Sequence, residues 1–159
     1  MAFFSFSPKS PIVLYVLRMW AIAFVPTIPI AYCVTVNSPV RTQEDLPIGM
    51  VWFLLSVLFA PIVETLLLAF FLWLAGRVVH SVNALAILGG LVAAMGHSLV
   101  WLPWAFIIFW PFYVMSRTLL AWRPSGMAYA LGVTTGIHVT YNLIPGIIAL
   151  VFTGGGSGN

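Results

Sequence analysis

The 159-residue chain is 62% hydrophobic and only 6% charged, against about 25% charged residues in an average soluble domain, so a water-soluble globular fold is excluded. Six Lys and Arg against three Asp and Glu leave a formal net charge of +3. No stretch interleaves clustered basic residues with aromatics, which speaks against a nucleic-acid surface.

Residues 1–10, with Phe3, Phe4, Phe6 and Lys9, suit the membrane interface. A first span is expected from Pro11 to about Val36, kinked or broken at Pro26 and Pro29, with Arg18 snorkelling to the near interface. It is too long, and has no clear small-residue cleavage site, for a signal peptide, so it reads as a retained helix. Its Cys33, the only cysteine, has no partner for an internal disulfide and reads as a small core residue. The polar stretch 37–47, with Arg41, Glu44 and Asp45, reads as a loop outside the membrane.

The second span, from about Pro47 to Gly76, carries Glu64, with Pro61 expected to bend the helix beside it. The turn 76–81 holds Arg77 and His80. A third span follows over about 82–101, ending with His97, and Gly89, Gly90 and Gly96 are expected to let neighbouring backbones come close. The fourth, about 104–120, is aromatic and reads as lipid-facing or scaffold. Arg117 and Arg123 precede the last span, which Ser125 is placed to cap and which runs to about Phe152 with His138, Asn142 and the pair Gly132 and Gly136, whose G-x-x-x-G spacing is expected to let that helix approach a neighbour closely.

The expected fold is therefore all-α, a polytopic membrane helical bundle of about five transmembrane helices with a four-helix core. Residues 1–46 form an N-terminal interfacial segment, first helix and loop, 47–152 the core, and 153–159 a flexible Gly-rich tail. Lys9, Arg18, Arg77, Arg117 and Arg123 fall on one side and Arg41 on the other. The positive-inside rule then places the N-terminus in the cytoplasm and the C-terminus outside, in what reads as a cell inner membrane.

A carboxylate at the bilayer centre costs about 2.5–3.5 kcal/mol, so Glu64 should face the interior and have a partner. Counted from the helix ends on the basic side, Glu64, His97, His138 and Asn142 lie about 12 to 17 residues deep, roughly 18 to 26 Å at the α-helical rise. Three spans thus place Glu, His, His and Asn in one layer, with His138 and Asn142 one turn apart on the same face. His80, in a turn beside Arg77, reads as structural. Ser98 lacks the G-x-S-x-G elbow of a serine nucleophile.

These residues resemble the CPBP intramembrane proteases, the family that includes CAAX prenyl endopeptidases and bacteriocin-immunity relatives. Its Glu-Glu-x-x-x-Arg motif, with an Ala-Pro lead, is matched by Ala60-Pro61-Ile62-Val63-Glu64-Thr65-Leu66-Leu67-Leu68-Ala69. Its Phe-x-x-x-His motif is matched by Ala93-Ala94-Met95-Gly96-His97, and its His-x-x-x-Asn motif by His138-Val139-Thr140-Tyr141-Asn142. Thr65 stands for the second Glu, Ala69 for the Arg and Ala93 for the Phe, so the likeness is to a divergent member.

The resemblance implies an intramembrane endopeptidase acting on a membrane-associated or lipid-modified peptide or protein. Glu64 would activate water, and His97, His138 and Asn142 would position it and stabilise the oxyanion. No cofactor is the preferred expectation. Zinc held by Glu64, His97 and His138 is the alternative, disfavoured because Thr65 leaves no second carboxylate as base. The other expectations are a catalytically silent membrane binding or immunity protein and, lower in order, a small transporter. Expected partners are membrane lipids and the substrate, with no nucleic acid.

Overall fold

The computed structural model describes Phe6, residues 10–38 and residues 49–153. The expectations for Lys9, for the loop bearing Arg41, Glu44 and Asp45, and for the Gly-rich tail after Thr153 lie outside the described residues. Within them every regular element is helical: α1 (Ile12–Asn37), α2 (Met50–Ala75), α3 (Val82–Ser98), α4 (Trp104–Trp122), a 3₁₀ turn (Arg123–Ser125) and α5 (Met127–Thr153). Helices α1, α2, α4 with its 3₁₀ turn, and α5 are long and apolar enough to cross a membrane. Their outward faces carry large apolar side chains such as Val13, Val51, Leu67 and Phe70, each more than three-fifths exposed. Such a surface belongs against lipid.

Helix α3 is shorter than expected. It has 17 residues, about 25 Å at the α-helical rise, and ends at Ser98 rather than near residue 101. The chain turns there ahead of Pro103, with the His97 carbonyl accepting from the N–H groups of Val100 and Trp101. His97 therefore sits in the last turn of α3.

Helix α4 is the centre of the bundle, which corrects a lipid-facing reading and keeps the scaffold one. Phe112, Val114, Met115, Ser116, Thr118, Leu119 and Trp122 are buried along it, and it packs on α1, α3 and α5. The stripe Tyr15, Met19, Ile22, Ala23 and Thr27 of α1 is buried, at the 3–4 spacing of one helix face. Cys33 lies outside that stripe and is exposed, not in the core.

At Pro26 and Pro61 the helix continues, with a donor from a neighbouring helix reaching a carbonyl left without one. In α1, Pro26 has no N–H to give the Ile22 carbonyl one turn back, and the indole Nε1 of Trp110 in α4 donates to that carbonyl at 2.8 Å. In α2, Pro61 is preceded by a π turn over Leu55–Phe59, in which the Ala60 N–H donates to Leu55. The next residue is Pro61, so the Ser56 carbonyl loses both donors that would reach it along the helix. Asn142 of α5 donates its Nδ2 to Ser56 at 2.9 Å. The bend expected at Pro61 thus takes the form of a π turn tied to α5.

Close backbone approach occurs at only some of the glycines expected to provide it. A Cβ on Gly90 would lie 2.9 Å from the Phe109 carbonyl, one on Gly89 would strike Ser116 Oγ, and one on Gly146 would lie 2.6 Å from Val57. Gly96 and Gly132 meet nothing within 4 Å, and Gly136 meets Val16 only at ordinary contact distance. The G-x-x-x-G pair of α5 is therefore not its contact seam; Asn142 and Gly146, one turn apart, face the π turn of α2. Ser125 does not cap α5 either. Gly126, at φ +116 in the left-handed region, precedes the helix, and its carbonyl accepts from Ala130.

Candidate active site

Glu64 projects from α2, His97 from the last turn of α3 and His138 from the middle of α5, and the three side chains meet. Glu64 Oε2 stands 3.5 Å from His138 Nε2 and 3.9 Å from His97 Nε2. The single layer counted from sequence is thus a single site for these three residues. His138 is almost fully buried, whereas Glu64 and His97 keep 30% and 26% of their side chains exposed. Access to the site is therefore from the α2–α3 side.

A cleft of about 350 Å³ lies there, walled by Leu67, Leu68 and Phe71 of α2 and by Val92, Ala93 and Gly96 of α3, with Glu64 and His97 on its surface. It exists because α3 presses on α4 through Gly89 and Gly90 and stands looser against α2. The walls are apolar, and the polar atoms are confined to the Glu64–His97 end. That arrangement accepts an extended apolar segment and presents one point of it to the carboxylate.

The proton positions follow from the neighbours. His97 Nδ1 lies 2.9 Å from the Ala93 carbonyl, which only accepts, so Nδ1 carries a proton and Nε2 is the ring atom turned toward Glu64. His138 Nδ1 is buried with no hydrogen-bond partner among the described residues. Its proton is best placed on Nε2, which faces Glu64 Oε2 across 3.5 Å. At 3.9 Å the His97–Glu64 separation is too long for a direct hydrogen bond and suits a shared water.

Phe112 of α4 is the residue that sequence reasoning missed. Its ring centroid is 5.2 Å from that of His138, edge-to-face, and 5.7 Å from that of His97, and it lines the cleft. It fixes both imidazoles from below. The only sequence signal was its place in an aromatic helix with no ionisable residue at that depth. Trp104, 6.1 Å from His97 by ring centroids, flanks the same site.

Asn142 is not joined to Glu64, His97 or His138 by a hydrogen bond among the described residues; its amide nitrogen is engaged with Ser56. It holds α5 to α2 and so sets how His138 faces Glu64. Asn142→Ala should cost about 1 kcal/mol, the usual loss for a hydrogen bond between membrane helices with an orphaned carbonyl added. Adding Pro61→Ala, which restores a donor to α2, should recover part of that loss in thermal unfolding of the purified protein. Thr65 and Ala69 are both buried in the bundle core. Ser98 Oγ donates to the Met95 carbonyl at 2.7 Å, and His80 lies away from the site in a second cavity.

Among the described residues no group of three His, Cys, Asp or Glu side chains is placed to hold a metal ion, Glu64, His97 and His138 included. The Ala93 carbonyl on His97 Nδ1 is the kind of outer contact that metal-bound imidazoles use, but His138 Nδ1 has none among the described residues. The chain matches no protein-family model, and no curated protein and no solved structure matches it.

Proposed function

We propose that the protein is an intramembrane endopeptidase whose general base is Glu64. The observation that carries this reading is the convergence of Glu64 Oε2 with the Nε2 atoms of His97 and His138 from three helices, beside an apolar cleft. The likeness of its three motifs to those of CPBP proteases supports it. The substrate is an apolar membrane-associated segment, and the basic end of the bundle faces the cytoplasm of a cell inner membrane.

Water held between Glu64 and His97 gives a proton to Glu64 as its oxygen attacks the peptide carbonyl. His97 Nε2 orients that water by accepting its second hydrogen. The negative charge on the carbonyl oxygen receives the Nε2–H of His138, in a buried setting where such a bond counts for more than in water. Glu64 then passes its proton to the leaving amine, which restores the carboxylate. Asn142 acts at one remove, by holding α5 against the π turn of α2.

A zinc ion on Glu64, His97 and His138 would supply a water acidified by the metal. Glu64 is the single acid among the described residues; as a ligand it would leave no carboxylate to take the proton, which favours the metal-free reading. Protein purified with and without chelator should cleave equally, with substoichiometric zinc by metal analysis. Stoichiometric zinc required for turnover would reverse this assignment.

A second reading, a silent protein that binds a membrane partner in the same cleft, is favoured by Thr65 and Ala69, which bury a hydroxyl and a methyl in the core where the resembled family has charged residues. Membrane proteomics of cells carrying wild type or Glu64→Gln separates the two. A cleavage product that depends on Glu64 supports the protease. A partner that co-purifies with both proteins, with no such product, supports the binder.

A further inference from the structure

A second cavity, of about 540 Å³, lies between the α2–α3 turn and the α4–α5 turn, walled by Gly76, His80, Val82, Leu85, Leu120 and Arg123. Its polar groups are cationic or neutral, and Arg123 has no carboxylate within ion-pair distance among the described residues. Arg77, three residues before His80, is held elsewhere, with its guanidinium 4.1 Å above the ring of Trp73. The first turn of α3 begins at Val82 on the wall and adds the positive end of a 17-residue helix.

Position decides what this cavity takes. Both turns lie at the ends of helices long and apolar enough to cross a membrane, where headgroups would meet them, on the end of the bundle that also carries Arg117, which donates to Asn83. Leu85 and Leu120 form an apolar wall one turn further in. A free anion has no use for that wall, whereas a lipid places its phosphate at the cationic rim and its first methylenes on the leucines. We propose that this cavity binds the phosphate of an anionic membrane lipid, with Arg123 and His80 as its polar contacts. The proposal is independent of the catalytic reading.

The full-length protein reconstituted with equal amounts of phosphatidylglycerol and phosphatidylcholine of matched chains, then examined by native mass spectrometry, tests this. Wild type is expected to retain phosphatidylglycerol in preference. Arg123→Gln should lower that preference roughly five-fold, the effect of one surface cation on an anionic lipid, and His80→Gln with Arg123→Gln should abolish it. Arg77→Gln, whose charge rests on Trp73, should leave it unchanged. A preference that survives the double variant, with thermal unfolding showing it folded, overturns the proposal, as does an equal loss in Arg77→Gln. Stabilisation by millimolar inorganic phosphate that depends on Arg123 and matches that by the lipid would assign the cavity to a free phosphate and overturn the lipid source.

Discussion

Glu64→Gln is expected to lower the cleavage rate by at least about 100-fold, the lower end of what one positioned base contributes, without unfolding the protein. The amide keeps the size of the carboxyl group and still presents an oxygen to His138 Nε2 at the 3.5 Å position, so packing is preserved and only the basic oxygen is lost. Removing a charge from a low-dielectric site is neutral or stabilising, and the unfolding midpoint should stay level or rise. Glu64→Asp should also lose most activity, because a carboxylate drawn back by one methylene leaves the water shared with His97. Activity and midpoint measured on the same preparations distinguish loss of the base from loss of the fold.

Gly90→Leu should be among the most disruptive single changes in the scaffold. The new Cβ would sit 2.9 Å from the Phe109 carbonyl and 3.1 Å from its ring, and a backbone oxygen cannot rotate away as a side chain does. Overpacking of this kind costs about 3 kcal/mol at the upper end of the usual range, roughly 6–12 °C in the midpoint for a chain of this length. Because Gly90 seats α3 on α4, the change also displaces His97 from Glu64, so activity should fall with stability. Gly96→Ala, on the same helix, meets nothing within 4 Å and should be neutral or stabilising by up to about 1 kcal/mol, since alanine is the better helix former.

The depth of the site was legible in the sequence because helical rise is fixed and basic residues mark one end of the bundle. Counting residues from that end placed Glu64, His97 and His138 in one layer, and the structure joins them. The third dimension was less legible. Which helix stands at the centre depends on side chains of several helices fitting at once, and α4 carries no charge before Arg117 to mark its inner face at the depth of the site, so Phe112 stayed hidden between the two histidines. Gly132 and Gly136 have the spacing of a contact seam, but Gly132 is exposed and Gly136 only touches Val16, because spacing fixes a face and not the direction in which it points.

The prolines show the same limit. Sequence places Pro26 and Pro61 where a helix must lose a donor, but not which residue elsewhere replaces it. Trp110 and Asn142, 88 and 86 residues from the carbonyls they reach, are found only once the helices are packed. The family resemblance implies chemistry for Asn142, which shares a face with His138. It shares that face because it must meet the π turn that Pro61 creates, beside the carboxylate.

The central claim, that Glu64 and His138 act as one unit, is tested most directly by a double-mutant cycle on the Glu64-dependent cleavage product in proteoliposomes. Rates are measured for wild type, Glu64→Gln, His138→Gln and the double variant. If the two side chains serve one transition state, the double variant is no slower than the slower single variant. Losses that multiply, or a Glu64→Gln protein that cleaves as wild type does, would contradict it.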